Sequence, residues 1–127
     1  MTASSACRSI GILILFTVWG RPAFCQNSPS ILSSEAVQFF EMKIRPLLQD
    51  NCVSCHNKEK PASALSLQSR EAILAGGNQG IIVQPGNPEQ SVLIHAVEYE
   101  GALKMPPTGK LKPDQIADLK TWVKLGL

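Results

Sequence analysis

Cys52-Val53-Ser54-Cys55-His56 packs two thiols and an imidazole into five consecutive residues, so any fold that contains it must hold all three groups in one tight turn. In the C-x-x-C-H spacing the two sulfurs can add across the two vinyl groups of one haem while the next residue supplies a proximal iron ligand. Three other readings use the same atoms. A tetrahedral zinc site needs four ligands, and the fourth would be His95, giving a Cys2His2 set of unusual spacing. A thiol redox pair belongs in a thioredoxin-like βαβ setting, which a helical pattern does not provide. A plain structural disulfide leaves His56 without a role. Covalent haem accounts for the whole run.

The N-terminus sharpens this reading. Arg8 precedes an apolar run, Ile10 to Trp19, and Ala23-Phe24-Cys25 places small residues two apart, the order of a secretory signal peptide. The run is about half the roughly 20 residues a membrane-crossing helix needs, so no transmembrane span is expected. We therefore divide the chain into a leader (1–25), a Ser- and Pro-bearing linker (26–34) and one domain (35–127). Cleavage removes Arg8 and Arg21 but no acid, so 12 basic and 10 acidic residues become ten of each. A neutral domain lacks the basic footprint of a nucleic-acid binder. Cleavage also removes Cys7 and Cys25, leaving Cys52 and Cys55 as a lone pair in an exported protein. Phe16, Phe24 and Trp19 go too, which thins the aromatic filling of the core and leaves room for a flat apolar cofactor.

Along the domain, Val37, Phe40, Ile44 and Leu48 recur at helical spacing, with a kink or break expected near Arg45 because Pro46 lacks a donor. Arg70 to Ala75 reads as a short helix stopped by Gly76-Gly77, and Ile81-Ile82-Val83 as an extended piece. Asn87-Pro88-Glu89-Gln90 reads as the start of a helix running to about Glu98. Residues 101–112 read as irregular, and Pro113 opens a final helix with Ile116, Leu119, Trp122 and Val123 on its apolar side. The class is mainly α.

An electron-carrying haem iron takes two axial protein ligands. His56 is the proximal one, expected to give its other ring N–H to a backbone carbonyl. Met105 is the preferred distal ligand, because its proline-stiffened loop can turn a thioether inward, whereas Met42 falls on the polar side of the first helix. His95 is the rival; it falls at the edge of its helix's apolar arc, where a rim position is expected. Leu65, Leu67, Val83, Leu93 and Trp122 are assigned to packing. Arg45 is a candidate partner for a haem propionate. Lys104, Lys110 and Lys112 bracket the Met105 loop and suggest a basic rim for an acidic redox partner.

Phe40, Ile44-Arg45-Pro46-Leu47-Leu48, Asn51 through His56, Val83 through Leu93, Lys104-Met105-Pro106-Pro107 and the Trp122 helix, in this order, resemble the planctomycete-type cytochrome c domain. The resemblance implies a class I-like fold of small helices wrapped around one covalent haem c, with the first and last helices crossing, in the periplasm. It also implies Cys52 and Cys55 as thioether anchors, His56 as proximal and Met105 as distal ligand. Ala64-Leu65 stands where relatives often have Gly-Leu. The expected function is periplasmic electron transfer, with no enzyme activity of its own. The alternative is a haem module of a larger enzyme, since relatives often continue where this chain ends at Leu127. A zinc or thiol-redox protein is the third reading.

Overall fold

The computed structural model describes residues 33–127, so the leader and most of the linker assigned from the sequence lie outside the described residues. The Ser33 side chain accepts the Ala36 N–H at 3.2 Å and starts α1 (Ser34–Phe39), with Glu35 at the positive end of the helix dipole. No break follows at Pro46. Instead Phe40–Ile44 widens into a π turn, in which the Arg45 N–H reaches the Phe40 carbonyl, and α2 (Arg45–Asn51) continues from it. A proline inside an α-helix lacks one donor and crowds the carbonyl four residues back; the wider turn absorbs both defects while Arg45 keeps helical angles. The extra residue also rotates the upstream face by about 100°. Ile44, Leu47 and Leu48 are consequently buried, whereas Val37 is 45% exposed.

The Ser69 hydroxyl caps α3 (Arg70–Ala75), and Gly76 ends it at φ +75°. A Cβ at Gly76 would stand 2.1 Å from the Gly80 carbonyl oxygen, so only glycine fits this close approach. Ile82 and Val83 are buried in the segment read as extended, which forms no helix, but the helix expected from Asn87 to Glu98 is divided. Pro88–Gln90 forms a single 3-10 turn, Ser91 is extended, and α4 (Val92–Val97) starts after it. The division follows from Ser91 itself, which is fully buried. Its hydroxyl donates to the Asn87 carbonyl at 2.9 Å and accepts the Gln84 N–H at 2.9 Å, stitching the extended segment to the turn.

Pro113 occupies the first turn of α5 (Pro113–Leu125), and left-handed Gly126 ends it. The helix packs against α1, the π turn and α4, with Leu119, Trp122 and Val123 buried. Trp122 meets Phe40 at a 5.9 Å centroid separation. Arg70 donates to the Gly126 and Leu127 carbonyls, and the Gly86 N–H to Val123, tying α3 and the extended segment to the end of α5. Among the described residues there is no strand, only one isolated bridge between Gly77 and Gly80, and no helix is long and apolar enough to cross a membrane.

The core is closed by aliphatic side chains. Leu67, Val83, Leu93 and Trp122 all belong to it and Leu65 packs against it, as assigned; Trp122 is the sole aromatic among its buried members. The indole Nε1 of Trp122 is buried without a hydrogen-bond partner among the described residues.

Candidate haem-attachment site

The end of α2 delivers the motif. Both the Cys52 and the Val53 N–H turn back to the Leu48 carbonyl, and the Cys55 and His56 N–H groups turn to the Cys52 carbonyl at 3.2 and 2.9 Å. The five residues thus close a double turn directly off the helix. Asn57 locks it: its Nδ2 donates to the Val53 and Ser54 carbonyls, and its Oδ1 accepts the N–H groups of Glu59 and Lys60. The sequence reading passed over this Asx-type cap; an asparagine just after the motif turn was the available signal.

Both thiols are free. Cys52 is partly buried, and that burial pushes its thiol up to about 11; Cys55 is exposed. His56 is held from both sides of its own backbone: its carbonyl accepts the Leu67 N–H at 2.9 Å, and its ring Nδ1 faces the Leu65 carbonyl at 3.3 Å. With Nδ1 carrying the proton it donates to Leu65, Nε2 is the nitrogen with a free lone pair, and it has no partner among the described residues. Two free thiols and one imidazole nitrogen left open for a metal match the donor set that a covalently attached haem requires.

The rival sets do not assemble. Among the described residues the only three His, Cys, Asp or Glu side chains with ligand atoms all within 4.8 Å are His95, Glu98 and Glu100, so Cys52, Cys55, His56 and His95 form no zinc tetrahedron. His95 is also committed elsewhere. Its Nδ1 contacts a Glu100 carboxylate oxygen at 3.0 Å and its Nε2 the Glu89 carbonyl at 2.9 Å. It stands at the rim, as expected from its place on the helix, with both nitrogens occupied.

Met105 is half-buried in the loop before α5, and its N–H donates to the Ala96 carbonyl at 2.9 Å. The Tyr99 hydroxyl donates to the Pro106 carbonyl, a second anchor that the sequence reading passed over. Met42 is 65% exposed. The Arg45 guanidinium lies 5.0 Å over the Phe40 ring and pairs in bidentate fashion with Glu41, at 2.6 Å for both bonds; hydrogen bonding to Arg45 holds the Glu41 carboxyl below its usual range. A cavity of about 240 Å³ opens between α1, α3 and the end of α5, lined among others by Val37, Phe40, Arg45, Ile73 and Trp122, and none of the motif residues reaches it.

Residues 52–109 match the family model of planctomycete cytochrome C. That match spans both the Cys52–His56 turn and the Met105 loop. No curated protein and no solved structure matches the chain.

Proposed function

We propose, from the match of residues 52–109 to the planctomycete cytochrome C family model, that the protein is an exported, periplasmic electron carrier with one haem c. Cys52 and Cys55 hold the haem through thioethers, His56 ligates the iron through Nε2, and Met105 supplies the sixth ligand. The haem contributes an iron that cycles between ferric and ferrous states; the chain contributes its ligands and their orientation. The single observation behind this reading is the His56 ring, whose Nδ1 faces the Leu65 carbonyl and whose Nε2 has no partner among the described residues, in the same turn that carries two free thiols.

Each residue then has a defined task. The Leu65 carbonyl fixes the tautomer and plane of the imidazole and raises its basicity toward the metal. The Ala96 carbonyl and Tyr99 hydroxyl hold the Met105 loop in place, so ligand movement between oxidation states is small. Arg45, with Nε and Nη2 committed to Glu41, keeps Nη1 for a haem propionate. Residues 1–25 act as the export leader and 26–34 as a linker, and the lysines around Met105 present the haem edge to an acidic redox protein.

The test is the ferric spectrum of protein matured with haem-attachment machinery, beside Met105→Ala. Wild type should show methionine-to-iron charge-transfer absorbance; Met105→Ala should keep its haem, lose that band and have a lower reduction potential. An unchanged spectrum in the variant refutes the Met105 assignment.

A further inference from the structure

The Met105 loop is not fastened to α4 by its own contacts alone. Its two anchors, the Ala96 carbonyl and Tyr99, lie in the last turn of α4 and the turn that follows, where Tyr99 sits in left-handed backbone at φ +61°. A tyrosine in that region is strained and persists only when its neighbours hold it. His95 does so. Its carbonyl accepts the Glu100 N–H at 3.0 Å while its Nδ1 takes the Glu100 carboxylate, so one residue grips both ends of Glu100 and closes the turn around Tyr99. On the other side Nε2 reaches the Glu89 carbonyl in the 3-10 turn before α4.

We infer that His95 is a positioning residue for the distal loop: its imidazolium bridges the Glu89 carbonyl and the Glu100 carboxylate, closes the turn that carries Tyr99, and thereby keeps Met105 at the iron. The inference rests on the assignment of Met105 as sixth ligand. Two acceptors facing the two ring nitrogens require two N–H donors, which only the charged ring has. A neutral ring keeps one N–H and turns a lone pair toward the other acceptor, so one arm of the bridge is lost.

The surrounding charges favour the charged ring. Glu100 and Glu98 follow α4, Glu89 lies in the preceding 3-10 turn, and Lys120 of α5 is drawn off by a 2.7 Å pair with Glu98; Lys104 lies over the Tyr99 ring at 5.9 Å. Hydrogen bonding to Glu100, then to the Glu89 carbonyl, raises the His95 pKa above the ordinary histidine value. A raised folded-state value means the bridge is complete below the ordinary histidine range and is lost as pH rises through the raised value.

The experiment compares the ferric holoprotein with His95→Gln, which keeps one donor and cannot titrate. Two readouts are followed across neutral to alkaline pH: the methionine-to-iron charge-transfer band and amide hydrogen exchange of residues 99–107. Wild type should lose part of the band in a step on the alkaline side of the ordinary histidine range. His95→Gln should lack that step and exchange a few-fold faster in 99–107 below it, with α5 unchanged. Identical band titrations and identical exchange in the two proteins would overturn the inference. A band absent from wild type at every pH refutes Met105 as ligand and with it the claim that His95 holds Met105 at the iron; the exchange then shows whether His95 closes the turn at all.

Discussion

Ser91 shows how much one hydroxyl decides. It is fully buried, it divides what would be one helix into a 3-10 turn and α4, and it satisfies the Gln84 N–H and the Asn87 carbonyl at once. Ser91→Ala should cost about 1 kcal/mol, since the Gln84 N–H loses its acceptor while the Asn87 carbonyl keeps the Gln90 N–H, and urea unfolding of the haem-loaded protein measures it. A cost near zero would mean that water or a rearranged Gln84 takes over. At this scale the sequence was legible where spacing alone fixes chemistry. Cys52, Cys55 and His56 are adjacent, so their joint turn could be read directly. The Leu65 carbonyl behind His56 and the Glu89–His95–Glu100 bridge were not legible, because each depends on how a loop folds back, and no local pattern encodes that; the Glu41 partner of Arg45 was legible as an acid four residues before a base on one helix and was passed over.

The helices were legible to the extent that their caps were local. α3 and α5 start and stop where Ser69, Gly76, Pro113 and Gly126 place them. Pro46 misled, since a missing donor predicts a defect without saying whether the helix breaks or widens; the apolar residues on both sides of it, Ile44 and Leu47, had to face one core, and a π turn allows that. The helix ends give a graded prediction. Gly76→Ala meets the Gly80 carbonyl oxygen at 2.1 Å and must push the backbone apart, whereas Gly126→Ala meets nothing and costs only the left-handed strain, about 1–2 kcal/mol. Thermal melts should therefore show a much larger drop for Gly76→Ala. Equal drops would mean that the 76–80 turn opens freely.

Taken whole, the domain from residue 26 onward carries as many acids as bases, so any electrostatic steering must come from where charges lie rather than from their sum. Lys104, Lys110 and Lys112 flank the Met105 loop, and the acids that could neutralise that face, Glu98 and Glu100, are taken up by Lys120 and His95. Oxidation of the ferrous protein by hexacyanoferrate(III), an anion, should slow as ionic strength rises toward about 0.1 M, where the Debye length is about 10 Å. The slope should shrink in Lys110→Glu/Lys112→Glu. A rate indifferent to salt would leave these lysines as solubilising groups only.

The central claim is a covalent bond between chain and haem at the Cys52–His56 turn, and it is tested most directly by peroxidase staining for haem on a denaturing gel after maturation in a host with haem-attachment machinery. The account predicts a stained band at the protein's mass that disappears in Cys52→Ser/Cys55→Ser. Colourless protein with two titratable thiols, or with bound zinc, would contradict it.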